Sequence, residues 1–286
     1  MNIGEIYSQF RKERGLTLKQ ATGNQFSTSM LSRFENGQSD ISAEKLFLAL
    51  DHIYLDPEEF LYLVRNFRLS DFQKFKNSLI RLRDAGDKEG LEKLRRIEEE
   101  KSKIDGKIQY HRLNQAIISL ILTKDFGREF SDSDLVKVED YLFKTGIWGQ
   151  YELFLFVQSV DFFKSELLVT YCRELLHKMD YLDDYPGNKI TIHSILLNAM
   201  FTSIEREKYV DARYFEKQIS RYFDNDRDLY MRLLFRIAQK LLDLCQEGTE
   251  NLSDLNRLLD MFQEIGNEAE ARYYRTEIQK IVENCK

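Results

Sequence analysis

The scarcity of helix-breaking residues constrains the fold of this chain more than any other feature. Only 2 prolines and 13 glycines occur among its 286 residues. In a helix interior, proline costs about 3 kcal/mol relative to alanine and glycine about 1 kcal/mol. Apolar residues recur at helical spacing, and no segment shows the period-two alternation of a half-buried strand. The sequence therefore predicts an all-α protein.

The first 66 residues carry signals for five short helices. An apolar stripe at helical spacing predicts an amphipathic first helix that ends at Gly15. Side chains that accept hydrogen bonds from the free N–H groups of a helix start predict where the other four helices begin. These predicted N-caps are Thr17, Ser27, Ser42 and Asp56.

The third predicted helix, from Ser27 to Gly37, has the composition of a helix that contacts DNA. In a helix-turn-helix the second helix enters the major groove, and its N-terminal residues face the base edges. Here that turn offers hydroxyl groups and a methionine, and Arg33 lies one turn further on, within reach of guanine or phosphate. The start of the preceding helix can meet phosphate. The candidate DNA-binding residues are Thr17, Lys19, Gln20, Ser27, Thr28, Ser29, Met30 and Arg33.

The charge distribution agrees with DNA binding by a small part of the chain. The net charge of −6 argues against a protein that coats nucleic acid non-specifically, whereas residues 1–37 carry five basic side chains against three acidic ones. The alternative is that 27–37 forms one more serine-capped helix without a role in DNA binding.

From about residue 68 the predicted helices lengthen and alternate with short polar breaks. Helix pairs that start about 40 residues apart are typical of a superhelical, tetratricopeptide-like array, with an irregular helical domain as the alternative. Residues 66–70 hold neither proline nor glycine and are predicted to form a continuous or nearly continuous helical link. The predicted pairs are 70–84 with 87–101, 106–123 with 131–145, 149–163 with 165–179, 188–205 with 207–222, and 226–247 with 250–265. A last helix at 267–283 either closes the array or joins a dimer.

Two groups of motifs resemble known families. Gly15–Thr17, Ser32–Gly37 and Ile41–Ser42 together resemble a Cro/C1-type (Xre) helix-turn-helix domain. Many such domains have glutamine directly after the Leu-Thr pair, where this chain has Leu18, so Lys19 or Gln20 is expected to take over that DNA contact.

The resemblance extends to the Rgg/GadR/MutR family of Gram-positive transcriptional regulators. Asp140–Phe143 and Trp148–Glu152 carry it outside the DNA-binding motif, and the match spans essentially the whole chain. It implies a homodimer that binds promoter double-stranded DNA through a domain at 1–66. It also implies a repeat and dimerisation domain at 67–286, whose concave surface binds a short secreted signalling peptide after import, as in quorum sensing. From the residues themselves, Trp148 is predicted to pack between repeats rather than to contact a ligand.

Polar stripes on the first helix of each pair suggest where a peptide would bind. In tetratricopeptide-like arrays these helices line the concave face, and an extended peptide needs amide partners and charges for its ends. The stripe on the fourth pair is either a buried hydrogen-bond seam or part of this lining. The resemblance places peptide contacts at Arg81 and Asn198, while Asp161 suggests a ligand with a basic residue or its amino end there. The candidate peptide-binding residues are Arg81, Asn114, Gln158, Asp161, Ser194, Asn198, Arg232 and Arg236.

Signatures of other protein classes are missing from the sequence. It has no Ser/His/Asp arrangement, phosphate-binding glycine loop or metal-ligand spacing, so neither an enzyme nor a metal or other cofactor is predicted. Cys172, Cys245 and Cys285 are far apart and are predicted to be reduced thiols. No apolar run reaches the ~18 residues of a membrane span and no signal segment opens the chain, so a cytoplasmic location away from membranes is expected.

One alternative function shares the DNA-binding domain but not the peptide. In it, the helical repeats mediate only dimerisation and contacts with protein partners such as RNA polymerase. The sequence alone leaves both functions open.

Overall fold

The structure is a computed structural model, and it confirms the predicted all-α class within the residues it describes. That part of the chain is 80% helical and contains no strands. It divides into two compact units, residues 1–78 and 79–286, which are described separately below. The described residues are 2–104, 106–177, 186–222, 228–248 and 252–285. No helix among them is long and apolar enough to cross a membrane.

The first unit begins with the five predicted short helices. Each of the four predicted N-cap side chains accepts a hydrogen bond from the backbone of its helix, which confirms these starts. Because a cap is a local interaction between residues two or three apart, it can be predicted from sequence. The helices are α1 (Ile3–Glu13), α2 (Leu18–Thr22), α3 (Thr28–Glu35), α4 (Ala43–His52) and α5 (Pro57–Val64).

The core of the first unit packs α3 against α1 and α2. Leu31 and Phe34 of α3 are buried, as their apolar character predicts. Tyr7 of α1 is fully buried and donates its hydroxyl to the carbonyl of Ala49 at 3.0 Å. Gly4 lies so close to the carbonyl of Phe34 that an added Cβ would overlap it, and α1 therefore crosses the end of α3 at short range.

The predicted helical link at 66–70 is wrong. Helix α5 ends at Val64, and Asn66 and Phe67 both have positive φ, 52° and 59°. The next helix starts after Ser70, whose hydroxyl accepts the N–H of Gln73 at 3.2 Å while the Gln73 side chain accepts the N–H of Ser70 at 2.9 Å. The absence of proline and glycine does not ensure a helix here, because asparagine tolerates the left-handed region and serine caps the following helix.

Apart from the end of α10 (Gln150–Ser159), the long helices have bounds within three residues of the predicted ones. The predicted end at 178–179 and the predicted starts at 226–227 and 250–251 fall outside the described residues. The first helix of the third pair ends early: α10 stops at Ser159, and the next three residues, Val160–Phe162, form a short 3₁₀ helix. The helices are α6 (Asp71–Asp84), α7 (Lys88–Ile104), α8 (Ile108–Phe126), α9 (Asp132–Lys144), α10 (Gln150–Ser159), α11 (Ser165–His177), α12 (Pro186–Glu205), α13 (Tyr209–Tyr222), α14 (Leu229–Glu247), α15 (Leu252–Glu264) and α16 (Glu268–Asn284).

The packing of the second unit brings the first helices of successive pairs together. Helix α8 packs on α10, α10 on α12, and α12 on α14, in addition to contacts such as α8 with α9 and α12 with α13. The last helix, α16, contacts α12, α14 and α15. The first helices therefore form a continuous row, and side chains at matching ends of neighbouring helices can meet.

Trp148 packs between helices, as predicted. It is 5% exposed, and its indole Nε1 donates to the carbonyl of Leu142 at 3.3 Å. Its ring lies 5.3 Å from Phe156 of α10 and 6.2 Å from Tyr171 of α11, measured between ring centroids. The tryptophan therefore fills the junction between three helices and is not available to a ligand.

The prediction of three separate reduced thiols is wrong for two of the cysteines. Cys245, near the end of α14, and Cys285, just after α16, form a disulfide with a Cα–Cα distance of 5.3 Å. Cys172 is free and buried. The two bonded residues are 40 positions apart in sequence, and only the packing of α16 on α14 brings them together.

Candidate DNA-binding surface and ligand site

The eight candidate DNA-binding residues lie on α2, on α3 and at the turns before them. Seven are exposed and Met30 is half-buried. Since α2 and α3 contact each other, their N-terminal turns belong to one helix-turn-helix. Lys19 and Arg33 form no ion pair among the described residues, so their charges are available to phosphate or a base.

The capping bonds of this surface are part of its geometry. Ser27 accepts the N–H of Met30 at 3.1 Å, and its hydroxyl lies 3.0 Å from that of Ser29. The Gln20 side-chain carbonyl accepts both the N–H of Thr17 at 2.9 Å and its hydroxyl at 2.8 Å. These bonds fix the orientation of the hydroxyl groups.

A buried ion pair between α1 and α3 holds α3 in position. Arg11 of α1 donates from Nε to Glu35 Oε1 at 2.5 Å and from Nη2 to Glu35 Oε2 at 2.6 Å, and Ser8 donates to the same carboxylate at 2.9 Å. Arg11 also donates to the carbonyl of Leu16 at 2.6 Å. The hydrogen bond to Glu35 raises the pKa of Arg11. This pair holds α3 at a fixed angle to α1.

The second unit contains a polar cluster where four first helices end. We call it the groove cluster, and its members are Arg83 of α6, Lys124 and Asp125 of α8, Gln158 of α10, Asp161 of the 3₁₀ helix and Thr202 of α12. Arg83 donates from Nε to Asp125 Oδ2 at 2.7 Å and from Nη1 to Gln158 Oε1 at 3.2 Å. Lys124 forms an ion pair with Asp161, and Thr202 donates to Asp161 Oδ1 at 2.8 Å. These contacts link four successive helix pairs in one network.

The electrostatics of the groove cluster follow from its ion pairs. Burial alone would raise the pKa of Asp161, but Lys124, the Thr202 hydroxyl and Arg83 together lower it. Burial alone would lower the pKa of Lys124 and of Arg83, yet Asp161 raises the former and Asp125 the latter. Asp161, Lys124 and Arg83 are therefore charged at neutral pH.

A third cation lies beside these pairs. Arg206, just after α12, donates to the carbonyl of Phe163 at 2.6 Å and to that of Asp161 at 2.5 Å. Burial and the nearby Asp161 raise the pKa of Glu205. Arg206 and Glu205 therefore lie next to the ion pairs of the groove cluster, and Arg206 forms no ion pair among the described residues.

The last helix contributes to the same place. Tyr273 of α16 is within electrostatic range of Lys124, Arg83 and Asp161, and burial raises the pKa of its phenol although the two cations oppose that shift. Its ring packs on Tyr274, with centroids 5.2 Å apart. Helix α16 also contacts α12, where the ring of Tyr274 lies 6.1 Å from that of Phe201, next to Thr202 of the groove cluster.

Only two of the predicted peptide-binding residues, Gln158 and Asp161, lie in this cluster. Arg81 is exposed and belongs to another face of α6, because two residues along a helix turn a side chain to the opposite side. Arg83, two positions on, lies in the cluster, and the predicted peptide contact of Arg81 stays a prediction. One sequence signal could have identified the cluster: α6 and α8, which are the first helices of their pairs, each carry a cation in the last turn, Arg83 and Lys124.

Asn114 lies in a separate, buried network at the other end of α8. Its amide donates to Glu98 Oε2 at 2.8 Å and its carbonyl accepts the Tyr151 hydroxyl at 3.0 Å. His111 Nδ1 also lies 2.7 Å from Glu98 Oε2. A peptide would have to displace the Tyr151 hydroxyl to bond Asn114, and the predicted contact stays untested.

The other candidates sit on α12 and α14. Ser194 donates to the carbonyl of Ile190 in its own helix at 3.0 Å, and Asn198 is half-buried. Arg232 and Arg236 are exposed, and Arg236 donates to Gln239 at 3.3 Å. The described contacts connect none of these four to the groove cluster.

The two units together define the class of the protein: a helix-turn-helix unit precedes an array of helix pairs in one all-α chain. The sequence model of the C-terminal domain of the HTH-type transcriptional regulator Rgg matches residues 91–276. The chain belongs to the Rgg family of transcriptional regulators.

Solved structures share this fold over nearly the whole chain. The SHP pheromone receptor Rgg2 from Streptococcus dysgalactiae is 21% identical with a TM-score of 0.78, and the match covers 97% of this chain and 99% of Rgg2. A putative transcriptional regulator from Listeria monocytogenes EGD-e is 19% identical with a TM-score of 0.80, covering 99% and 98%. PrgX in the PrgX/cCF10 complex is 16% identical with a TM-score of 0.67, covering 98% and 92%.

Proposed function

We propose that this protein is a sequence-specific DNA-binding transcriptional regulator whose activity is controlled by a short signalling peptide bound at the groove cluster, as in quorum sensing. Membership of the Rgg family supports the regulatory role. Rgg2, which shares the fold, is a pheromone receptor, and PrgX was solved in complex with cCF10. The observation that carries the proposal is the groove cluster itself, in which four first helices present hydrogen-bonding and charged groups together.

The DNA-binding half of the proposal rests on the surface of α2 and α3. Exposed hydroxyls at Ser27, Thr28 and Ser29 face outward beside the exposed Arg33, and Lys19 stands at the start of α2. Paired half-sites in DNA require paired readers, so the protein acts as a homodimer on promoter DNA. Such a regulator works where the chromosome is, in the cytoplasm.

The groove cluster favours a peptide with an acidic group. Both carboxylate oxygens of Asp161 are already engaged, one by Lys124 and the other by Thr202, so its negative charge is already paired with a cation of the protein. Arg206, beside the cluster, donates to two backbone carbonyls and forms no ion pair with a carboxylate among the described residues. A carboxylate of the peptide, at its C-terminus or on a side chain, would balance that charge. This replaces the basic or amino-terminal group expected from Asp161 alone.

Isothermal titration of the full-length protein tests the ligand half. Synthetic peptides encoded by short open reading frames beside the gene are titrated, each with a matched variant in which acidic groups are replaced by amides. We expect one peptide to bind and its amide variant to bind at least about tenfold more weakly. Absence of binding by every peptide would favour a repeat unit that only mediates dimerisation and contacts with protein partners such as RNA polymerase.

A salt titration tests the DNA half. Binding of a fluorescent promoter fragment is measured by anisotropy at rising salt concentration. Affinity should fall steeply, since each neutralised phosphate releases counterions and adds about one unit to the slope of log K against log salt. An affinity that does not depend on salt, or that is equal for promoter and scrambled DNA, would contradict specific binding.

A further inference from the structure

Cys245 and Cys285 link two helices that belong to different repeats. Cys245 lies in the last turns of α14, and Cys285 directly follows α16. Both side chains are half-buried, which leaves them open to small oxidants, and the Tyr209 hydroxyl lies 3.9 Å from the sulfur of Cys285. The Cα–Cα distance of 5.3 Å is in the range that an unstrained disulfide requires.

The third cysteine behaves differently. Cys172 of α11 is fully buried, and burial raises the pKa of its thiol, so it remains a poor nucleophile. Only the pair at the end of α14 and α16 combines access with a partner at bonding distance. The chain therefore contains one reactive pair and one inert thiol, which serves as an internal control.

The cysteine pair lies at the end of α16, and this helix connects it to the region of the groove cluster. Helix α16 has few buried side chains along its length (Ala271, Ile278, Ile281 and Val282) that hold it to its neighbours. The same helix packs on α12, where the ring of Tyr274 lies 6.1 Å from that of Phe201, the residue before Thr202 of the groove cluster. A covalent bond at the end of α16 restricts the movement of the whole helix, because a helix transmits displacement along its axis as a stiff unit.

We propose that Cys245 and Cys285 form a reversible redox switch that locks α16 onto α14 and thereby changes the ligand response of the groove cluster. Disulfides in proteins of a reducing compartment are mostly transient or redox-sensing rather than structural, which favours a switch in a DNA-binding regulator. The locking itself is independent of the function proposed above, whereas its effect on ligand binding rests on that function.

The chemistry needs a peroxide as oxidant and a dithiol as reductant. One thiolate attacks a peroxide oxygen and, with uptake of a proton, gives a sulfenic acid and releases water when the oxidant is hydrogen peroxide. The second thiolate then attacks the sulfenic sulfur, the Sγ–Sγ bond forms, and hydroxide leaves and is protonated to water. In sum, two thiols lose two electrons and two protons, and one hydrogen peroxide becomes two waters. A dithiol restores both thiols by exchange through a mixed disulfide.

Alkylation of the full-length protein tests the bond. The protein is treated with hydrogen peroxide or with dithiothreitol, unfolded in iodoacetamide and weighed by mass spectrometry. We expect the reduced chain to take an alkyl group on each of its 3 cysteines and the oxidised chain to take one, on Cys172. Cys172→Ala should keep the switch, and Cys245→Ser should remove it. An oxidised chain with all thiols alkylated, or one cross-linked only between subunits, would overturn the proposal.

Hydrogen exchange tests the locking of α16. Amides of α16 should exchange at least about tenfold more slowly in the oxidised protein, while amides of α1 to α5 exchange equally in both forms. In Cys285→Ser, peroxide should leave the exchange of α16 unchanged. Equal exchange of α16 in the oxidised and reduced wild type would show that the bond does not lock the helix.

Peptide titration of the two redox forms tests the coupling. We expect at least about a threefold difference in Kd between the oxidised and reduced wild type, and none in Cys285→Ser. Equal Kd values despite slower exchange would overturn the coupling to the groove cluster. If no peptide bound either form, the proposed function would fail, while the exchange difference would still support the redox lock.

Discussion

Two networks in this protein join cationic side chains to carboxylates, but they differ in how deeply they are buried. In the first unit, the Arg11 and Glu35 side chains are 9% and 6% exposed, and each charged group is satisfied by groups of the protein. In the groove cluster, the Lys124 and Asp161 side chains are 29% and 27% exposed, and a third cation lies beside them. The first network fixes the angle of α3, the helix proposed to contact DNA, whereas the second remains accessible to solvent. Burial, rather than residue type, separates the structural ion pair from the proposed binding site.

The largest effect on stability should come from breaking the buried ion pair between Arg11 and Glu35. Arg11→Ala leaves the Glu35 carboxylate buried without its cation and should lower the free energy of unfolding of the first unit by about 3–5 kcal/mol. Urea unfolding followed by circular dichroism measures this change. Lys12→Ala, at the exposed position next in sequence, is the matched control and should change stability by about 0.5 kcal/mol or less. A loss below about 1 kcal/mol for Arg11→Ala would remove the contrast between the two networks.

Breaking an ion pair of the groove cluster should lower peptide affinity more than it lowers stability. Arg83→Ala removes the partner of Asp125 and should weaken peptide binding by about 2–3 kcal/mol, measured by isothermal titration calorimetry. Its free energy of unfolding should fall by about 1 kcal/mol or less, since solvent can reach the carboxylate that is left. The control is Arg81→Ala on the exposed face of the same helix, with an expected change within about 0.5 kcal/mol in both quantities. Equal losses for the two variants would place the binding site elsewhere.

A third arginine extends the comparison to a charge outside both networks. Arg33 is exposed and forms no ion pair in the described part of the chain. Arg33→Ala should weaken promoter binding by about 1–3 kcal/mol and relax specificity if the guanidinium contacts a base. Anisotropy with promoter and scrambled fragments measures both. A uniform loss on both fragments, with a shallower salt dependence, would identify a phosphate contact instead.

The smallest predicted effect is on how the melting temperature declines at low pH. Because the cations and hydroxyl around Asp161 lower its pKa in the folded protein, the stabilisation that it contributes is fully present above its unfolded pKa and is lost as pH falls through the lower folded value. Thermal unfolding below about pH 4 should therefore show a shallower decline of Tm in Asp161→Asn than in the wild type. Glu98→Gln should behave likewise, since hydrogen bonds from His111, Asn114 and Lys101 overcome burial and lower the pKa of Glu98. Parallel Tm curves for the wild type and Asp161→Asn would contradict the charge-stabilised state of the cluster.

The fold was predictable where local signals decide it. N-cap side chains such as Ser27 and Asp56 act on N–H groups two or three residues away, and apolar spacing marks the buried face of each long helix. The turn at Asn66 and Phe67 escaped because two consecutive left-handed residues leave no mark comparable to proline.

The site was less predictable because it depends on the register between helices. Gln158 and Asp161 were identified from their spacing on one helix, but Arg83 and Lys124 meet them only after α6, α8 and α10 have packed. The contact between Cys245 and Cys285 has the same origin, since α15 and α16 return the chain to α14. Contacts between side chains on different helices cannot be inferred from their spacing along the sequence.

The central claim is that the groove cluster couples a peptide to the DNA-binding surface. The most direct measurement is promoter affinity, by anisotropy, with and without the bound peptide for the wild type, Arg83→Ala and Arg81→Ala. We predict that peptide changes the affinity of the wild type and of Arg81→Ala by the same factor, while Arg83→Ala binds DNA normally and no longer responds at that peptide concentration. A full response in Arg83→Ala, or an unchanged DNA affinity of the wild type saturated with peptide, would contradict the claim.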